Sequence, residues 1–406
     1  MDSSSSATSL MPGAARPDTP FGVYLHVPFC ATRCGYCDFN TYTPGELGSA
    51  ASQGSFLDVI EVELELAAEK LAESGDRRQA ETVFVGGGTP SLLGAAGLGR
   101  LLDAVRGTVG LADGAEVTTE SNPESTDPEF FAGIREAGFT RVSLGMQSAA
   151  RHVLAVLERR HTPGRAVAAA KEAAAAGFEH VNLDLIYGTP GERDEDVRAS
   201  VDAALEAGVD HVSAYSLIVE RGTAMGRKVR RGELPEPDED RLADRYEIID
   251  SKLRAAGLEW YEVSNWARPG GECRHNEIYW VDGDWWGAGP GAHSHLGDRR
   301  FFNAKHPARY ATTLAGRELP IAGGETLGER EHHTERVMLG LRMRSGIPED
   351  RLNEQGRAAA ERFVRRGLLH RPEPGRLAVT DAGRLLADGI VTDLLLAEEG
   401  DPAAAL

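Results

Sequence analysis

The stretch Gly22-Val23-Tyr24-Leu25-His26-Val27-Pro28-Phe29-Cys30-Ala31-Thr32-Arg33-Cys34-Gly35-Tyr36-Cys37-Asp38-Phe39 decides the reading of this chain. Residues 22–27 form an apolar run with strand character, and the segment after them carries three cysteines in C-x3-C-x2-C spacing. Three thiolates on one short loop can hold three corners of an iron–sulfur cube and leave the fourth iron without a protein ligand. Ferredoxin-type clusters use four thiolates at other spacings, so another molecule must complete the open iron. The competing readings are a zinc knuckle and three unpaired thiols. Zinc normally pairs C-x2-C with a distant second Cys/His pair, and Cys273 is the one cysteine left. The spacing therefore predicts a 4Fe–4S cluster on Cys30, Cys34 and Cys37.

Working outward, the chain has 406 residues, enough for two or three domains. Its 44 basic and 63 acidic residues give a net charge of −19, which argues against nucleic acid or an anionic membrane as a general partner. Four cysteines, three of them clustered, make no disulfide framework and fit a reducing compartment. No run reaches the roughly 18 consecutive apolar residues of a transmembrane helix. Residues 1–19 lack the charged and apolar regions of a secretory signal and read as a disordered tail. The expected location is the cytoplasm.

Strand-like runs at 22–27, 81–85, 116–120, 141–144, 180–186 and 211–217 alternate with helical stretches, among them 55–73 and the alanine-rich 165–176. That alternation predicts an α/β fold with a parallel sheet, either a barrel or doubly wound. In such folds, ligand-binding groups collect where strands end. The cysteine loop, Gly86-Gly87-Gly88-Thr89-Pro90, Glu120 and Gln147 fall at those places, and Asp184 lies within the fifth strand. Residues 20–258 are thus expected to form a core barrel. Residues 259–325 read as an irregular connecting region that holds all five tryptophans. Residues 326–396 read as helices plus a wing-like hairpin, with Thr380 capping a final helix that carries Leu386, Ile390 and Leu394. This winged-helix-like C-terminal domain has no basic footprint, so packing or partner contact is expected of it rather than DNA binding.

A triple glycine lets backbone approach a ligand without a Cβ clash, but alone it identifies nothing. Placed after the second strand of a protein with C-x3-C-x2-C after the first, it resembles the radical S-adenosylmethionine (SAM) superfamily. There SAM occupies the open iron, and the fold is a partial (β/α)6 barrel. The run 23–39 is similar to the branch that contains oxygen-independent coproporphyrinogen III oxidases and their haem-chaperone paralogues, over about residues 22–395. The resemblance implies that Tyr24, Gly87 and Glu120 contact the cluster-bound SAM. It also implies that Tyr36, Gly88, Thr89, Gln147, Arg159 and Asp184 surround a second SAM position.

Two departures point away from the oxidase. Phe39 stands where the oxidase pattern C-x3-C-x2-C-x-C has its fourth cysteine, and only 29 residues precede Cys30. Cys273-Arg274-His275-Asn276-Glu277-Ile278-Tyr279-Trp280 matches the H-N-x-x-Y-W haem-binding motif of the chaperones. Imidazole is a good axial ligand for haem iron, which nominates His275, and the neighbouring aromatics offer flat surface to a porphyrin. The competing reading makes His275 a structural hydrogen-bonding residue. His293 and His295 share one face of an extended segment; metal ligation is one reading of the pair, and lining the barrel floor is the reading preferred here. The expected function is a haem chaperone that carries haem as cargo, binds a SAM-ligated 4Fe–4S cluster, and has an apo-haemoprotein and a second copy of itself as partners. An oxygen-independent coproporphyrinogen III oxidase is the alternative, and cluster residues alone do not decide whether radical chemistry occurs.

Overall fold

The computed structural model describes residues 16–46, 52–160 and 162–400. Its centre is a parallel run of strands: β1 (Phe21–Val27), β2 (Ala80–Gly87), β3 (Leu111–Ser121), β4 (Arg141–Gln147), β5 (His180–Tyr187) and β6 (His211–Ser216). They pair in chain order, each parallel to the next. Helices join them, and the apolar faces of those helices supply the core. The helix Gln53–Glu73 is typical. Ser52 caps it in a reciprocal capping box, and Phe56, Ile60, Leu64, Ala67 and Leu71 bury one stripe against the sheet. Each such Leu or Ile contributes about 1.5–3 kcal/mol when fully buried. β4 is buried along its whole length, as a strand covered on both faces must be.

The sheet does not stop at six strands. β7 (Glu259–Glu262) and β8 (Asn265–Ala267) extend it antiparallel beyond β6. On the other side, β9 (Asp284–Ala288) lies parallel to β1, followed by β10 (His293–Leu296), β11 (Arg299–Asn303) and β12 (Ile321–Thr326). The order is β12-β11-β10-β9-β1-β2-β3-β4-β5-β6-β8-β7, an open sheet of 12 strands, hence a partial barrel. This corrects the expectation of an irregular region over 259–325. Most of its strands are short, several carry aromatics, and they alternate with glycine turns, so no helix-length or strand-length period stands out in the sequence.

Two further expectations need correction. Residues 1–15 lie outside the described residues, but the tail does not extend to 19. Arg16 forms ion pairs with Asp282 and Asp284, and Arg78 donates to the carbonyls of Arg16 (2.9 Å) and Thr19 (2.8 Å). Thr380 caps the short helix Asp381–Arg384, and the final helix Ala387–Glu398 starts after it. Leu386 is thus an exposed flanking residue, while Ile390 and Leu394 are buried as expected. The C-terminal region otherwise has the expected wing. β14 (Leu369–His370) and β15 (Arg376–Val379) pair antiparallel, and β13 (Ile347–Pro348) adds a third strand.

Candidate functional site

The cysteine loop is pinned at its base and its middle. Cys30 N–H donates to the Tyr42 carbonyl (3.0 Å), and Tyr42 N–H donates to Pro28 (2.7 Å). Gly35 N–H donates to Leu157 (3.1 Å), while its own carbonyl accepts from Met225 N–H (2.8 Å). The glycine segment after β2 packs directly on this loop. Gly88 N–H donates to Val27 and Thr89 N–H to Phe29, at 2.8 and 2.7 Å. A Cβ on Gly88 would stand 2.4 Å from the Phe29 carbonyl oxygen, so only glycine permits that approach.

Cys30, Cys34 and Cys37, all half-buried, face one cavity of 260 Å³. Tyr36, Gly87, Gly88, Thr89, Glu120, Gln147, Arg159 and Asp184 line the same cavity. Burial pushes the Cys37 thiol up to about 11 and raises Cys30 as well. Thiolates at Cys30 and Cys37 therefore form only beside compensating positive charge. Part of it is built in. Arg159 Nη1 lies 3.5 Å from Cys34 Sγ, and its Nη2 donates to the Gly145 carbonyl (3.2 Å). The Thr89 hydroxyl points at Cys30 Sγ from 3.8 Å.

Across the cavity stand two carboxyls. Burial and the nearby charge of Asp184 push Glu120 up to about 8, against the opposing pull of the Gly87 N–H that donates to it (3.0 Å). Burial also raises Asp184, which accepts from Ser143 (3.0 Å) and from the Asn182 amide (2.7 Å). Gln147 closes β4 with φ of 66°, a left-handed conformation that costs a non-glycine residue about 1–3 kcal/mol and recurs at functional sites.

Tyr24 and His275 line a second cavity of 190 Å³ toward the amino ends of the strands, which shares Glu120, Ser143, Asp184 and Tyr215 with the first. His275 is 1% exposed and sits in the helix Arg274–Trp280. Its Nδ1 bonds the Thr82 hydroxyl (2.7 Å) and its Nε2 the Tyr279 hydroxyl (2.9 Å), while Phe84 stacks on the ring at 5.2 Å. Burial lowers its pKa to about 3, so the ring is neutral. An iron reaching His275 would have to displace one of these two hydroxyls. Asn276 and Trp280 of the same motif lie near Glu262 on β7, whose carboxylate accepts from the Asn265 amide.

Sequence reasoning missed the polar network beneath Asp184. Asn182 donates to Ser143 (2.7 Å) and Ser213 (3.0 Å), and its carbonyl oxygen pairs with His211 Nδ1 (2.7 Å). His211 Nε2 in turn bonds the Tyr261 hydroxyl at 2.8 Å. The available signal was the alternation Asn182-x-Asp184 in β5, which puts both side chains on the lumen face.

Residues 24–204 match the Radical SAM superfamily. Over 386 residues the chain is 62% identical to the Heme chaperone HemW of Mycobacterium tuberculosis, a match that spans 95% of this chain and 97% of that protein. The chain belongs to the HemW family. The HemW of Bacillus subtilis is 32% identical over 376 residues, with 90% and 97% of the two chains covered. Among solved structures, the coproporphyrinogen III oxidase HemN of Escherichia coli superposes with a TM-score of 0.79 at 23% identity, over 94% of this chain and 91% of that one. That likeness establishes a shared fold. No helix among the described residues of this HemW-family chain is long and apolar enough to cross a membrane.

Proposed function

We propose that the chain is a cytoplasmic haem chaperone, which binds haem and delivers it to apo-haemoproteins. The observation that carries this reading is the near full-length match to a protein named as a haem chaperone, at 62% identity. Phe39 supports it from inside the structure. It stands where the resembling oxidases have a fourth cysteine, and it is an apolar side chain 59% exposed.

The residues present fit a 4Fe–4S cluster with SAM. Three thiols converge on one cavity, burial disfavours the anions of Cys30 and Cys37 without a cation, and glycine gives the loops a close approach. Cys30, Cys34 and Cys37 would hold the cluster, and SAM would complete its open iron. When bound, the pair supplies a one-electron donor and a cleavable sulfonium. Around it, Arg159 offsets thiolate charge and is suited to pair with a carboxylate. Glu120 and Asp184 offer acceptors for an amine or ribose hydroxyls. Tyr24 borders Glu120, while Tyr36, Gly88, Thr89 and Gln147 complete the wall where a second SAM would lie. Cys30→Ser is expected to abolish the cluster, read as iron and sulfide content after anaerobic reconstitution. Full retention of both would remove the ligand assignment.

The competing oxidase reading is separated by one assay. With SAM, reductant and coproporphyrinogen III, the chaperone reading expects no decarboxylation, and the same preparation should give a Soret band when titrated with haem. Consumption of coproporphyrinogen III with release of 5′-deoxyadenosine, and no haem spectrum, would overturn it.

A further inference from the structure

A third cavity opens at the surface beside the cluster loop. It measures 370 Å³, within the roughly 300–1,000 Å³ of small-molecule sites. Phe39, Tyr279 and Trp285 give it aromatic walls, with Tyr279 and Trp285 edge to face at 4.6 Å. Phe39 leaves a large apolar ring in water, and covering such a side chain contributes about 1.5–3 kcal/mol.

Two histidines reach this groove. His26 is buried, and both its ring nitrogens are engaged, by the Tyr24 hydroxyl (3.1 Å) and the Asn40 carbonyl (2.9 Å). His293 is exposed, and among the described residues no hydrogen bond holds either ring nitrogen. Its position is nonetheless fixed. Phe302 stacks on the ring at 5.2 Å, and the Trp285 indole donates to the His293 carbonyl (2.9 Å). Lys305 lines the groove and forms no ion pair among the described residues, which leaves its ammonium for an anionic ligand group.

We propose that this groove is the haem site, with His293 as axial ligand, the porphyrin face against Phe39, Tyr279 and Trp285, and a propionate at Lys305. The assignment rests on the chaperone reading and adds to it the site and the iron ligand. It also gives the H-N-x-x-Y-W motif a physical role. His275 bonds the Tyr279 hydroxyl from inside the barrel, so the motif positions one wall of the groove. An open groove suits cargo that must leave again, because an accepting protein can reach the haem edge.

The test is haem titration of the full-length, anaerobically reconstituted chain, followed by its Soret band. His293→Ala is expected to weaken binding more than about 10-fold, the loss that removing even a supporting partner of a metal ligand can produce. Free imidazole should then restore the band. Phe39→Asp should weaken binding in the same titration, and any loss in His275→Ala, which frees the Tyr279 wall, should not be restored by imidazole. Wild-type titration behaviour in His293→Ala would overturn the assignment. So would loss of the band in His275→Ala with imidazole restoring it there. An unmodified chain that shows no haem band defeats the chaperone reading and this assignment together; either of the preceding results defeats the assignment alone.

Discussion

Gly88 shows how a single missing Cβ organises the cluster cavity. Its N–H bonds Val27, and its α-carbon sits against Phe29, with 2.4 Å where a methyl carbon would have to go. Backbone on both sides leaves nothing flexible to yield. Gly88→Ala is therefore expected to displace the cysteine loop and cut reconstituted iron sharply, with all three thiols still present. Iron and sulfide analysis beside a thiol count checks this. The residue was legible as part of a glycine run, but its contact with Phe29 was not, because that contact joins two loops about sixty residues apart. The same holds for His275. Its motif is visible in sequence, whereas the two hydroxyls that take up its nitrogens come from β2 and from its own helix.

At the scale of elements, the strands of the barrel were readable because each pairs a short apolar run with a helix of clear period. The strands from β7 to β12 were not, since their partners lie far away in sequence and their pattern is broken by turns. On the β9–β12 side, a buried carboxyl adds to the β1–β9 pairing that holds the extension to the barrel. Glu63, on the helix Gln53–Glu73, accepts from Gly289 N–H (2.8 Å), the Asn303 amide (2.6 Å) and the Tyr310 hydroxyl. Burial outweighs these donors and pushes its pKa up to about 7. A carboxyl raised in the folded state stabilises fully below its ordinary pKa and loses that contribution as pH rises through the folded value. Stability is thus expected to fall between about pH 5 and 7, by at most about 1.4 kcal/mol per pH unit from this group. Glu63→Gln should flatten that part of the profile, measured by urea unfolding across the range. An unchanged slope would mean that Glu63 is ionised throughout.

For the whole molecule, a buried guanidinium is one of the contacts that join the winged-helix-like region to the barrel. Arg384 pairs with Asp250 at 2.8 Å, bonds the Tyr246 hydroxyl (3.2 Å), and lies 4.8 Å from the centre of the Trp260 ring. Met343 bridges to Glu262, and Arg344 N–H donates to the Tyr261 carbonyl (2.8 Å), both on β7. Arg384→Met would leave Asp250 buried without this partner and is expected to cost about 3 kcal/mol. The loss should appear as a lower denaturation midpoint and as earlier proteolysis of the C-terminal region. That region was recognisable from its hairpin, but its docking partner was not, since Asp250 gives no sign in the sequence that it is buried. The docked arrangement leaves the aromatic groove at the surface, on the side of the sheet where β9 and β10 extend it. Delivery of haem from the loaded, full-length chain to an apo-cytochrome, followed by the rise of the acceptor's own haem spectrum, tests the central claim most directly. The account predicts transfer faster than from free haem at equal concentration, slowed by His293→Ala; acceptor loading at the free-haem rate would contradict it.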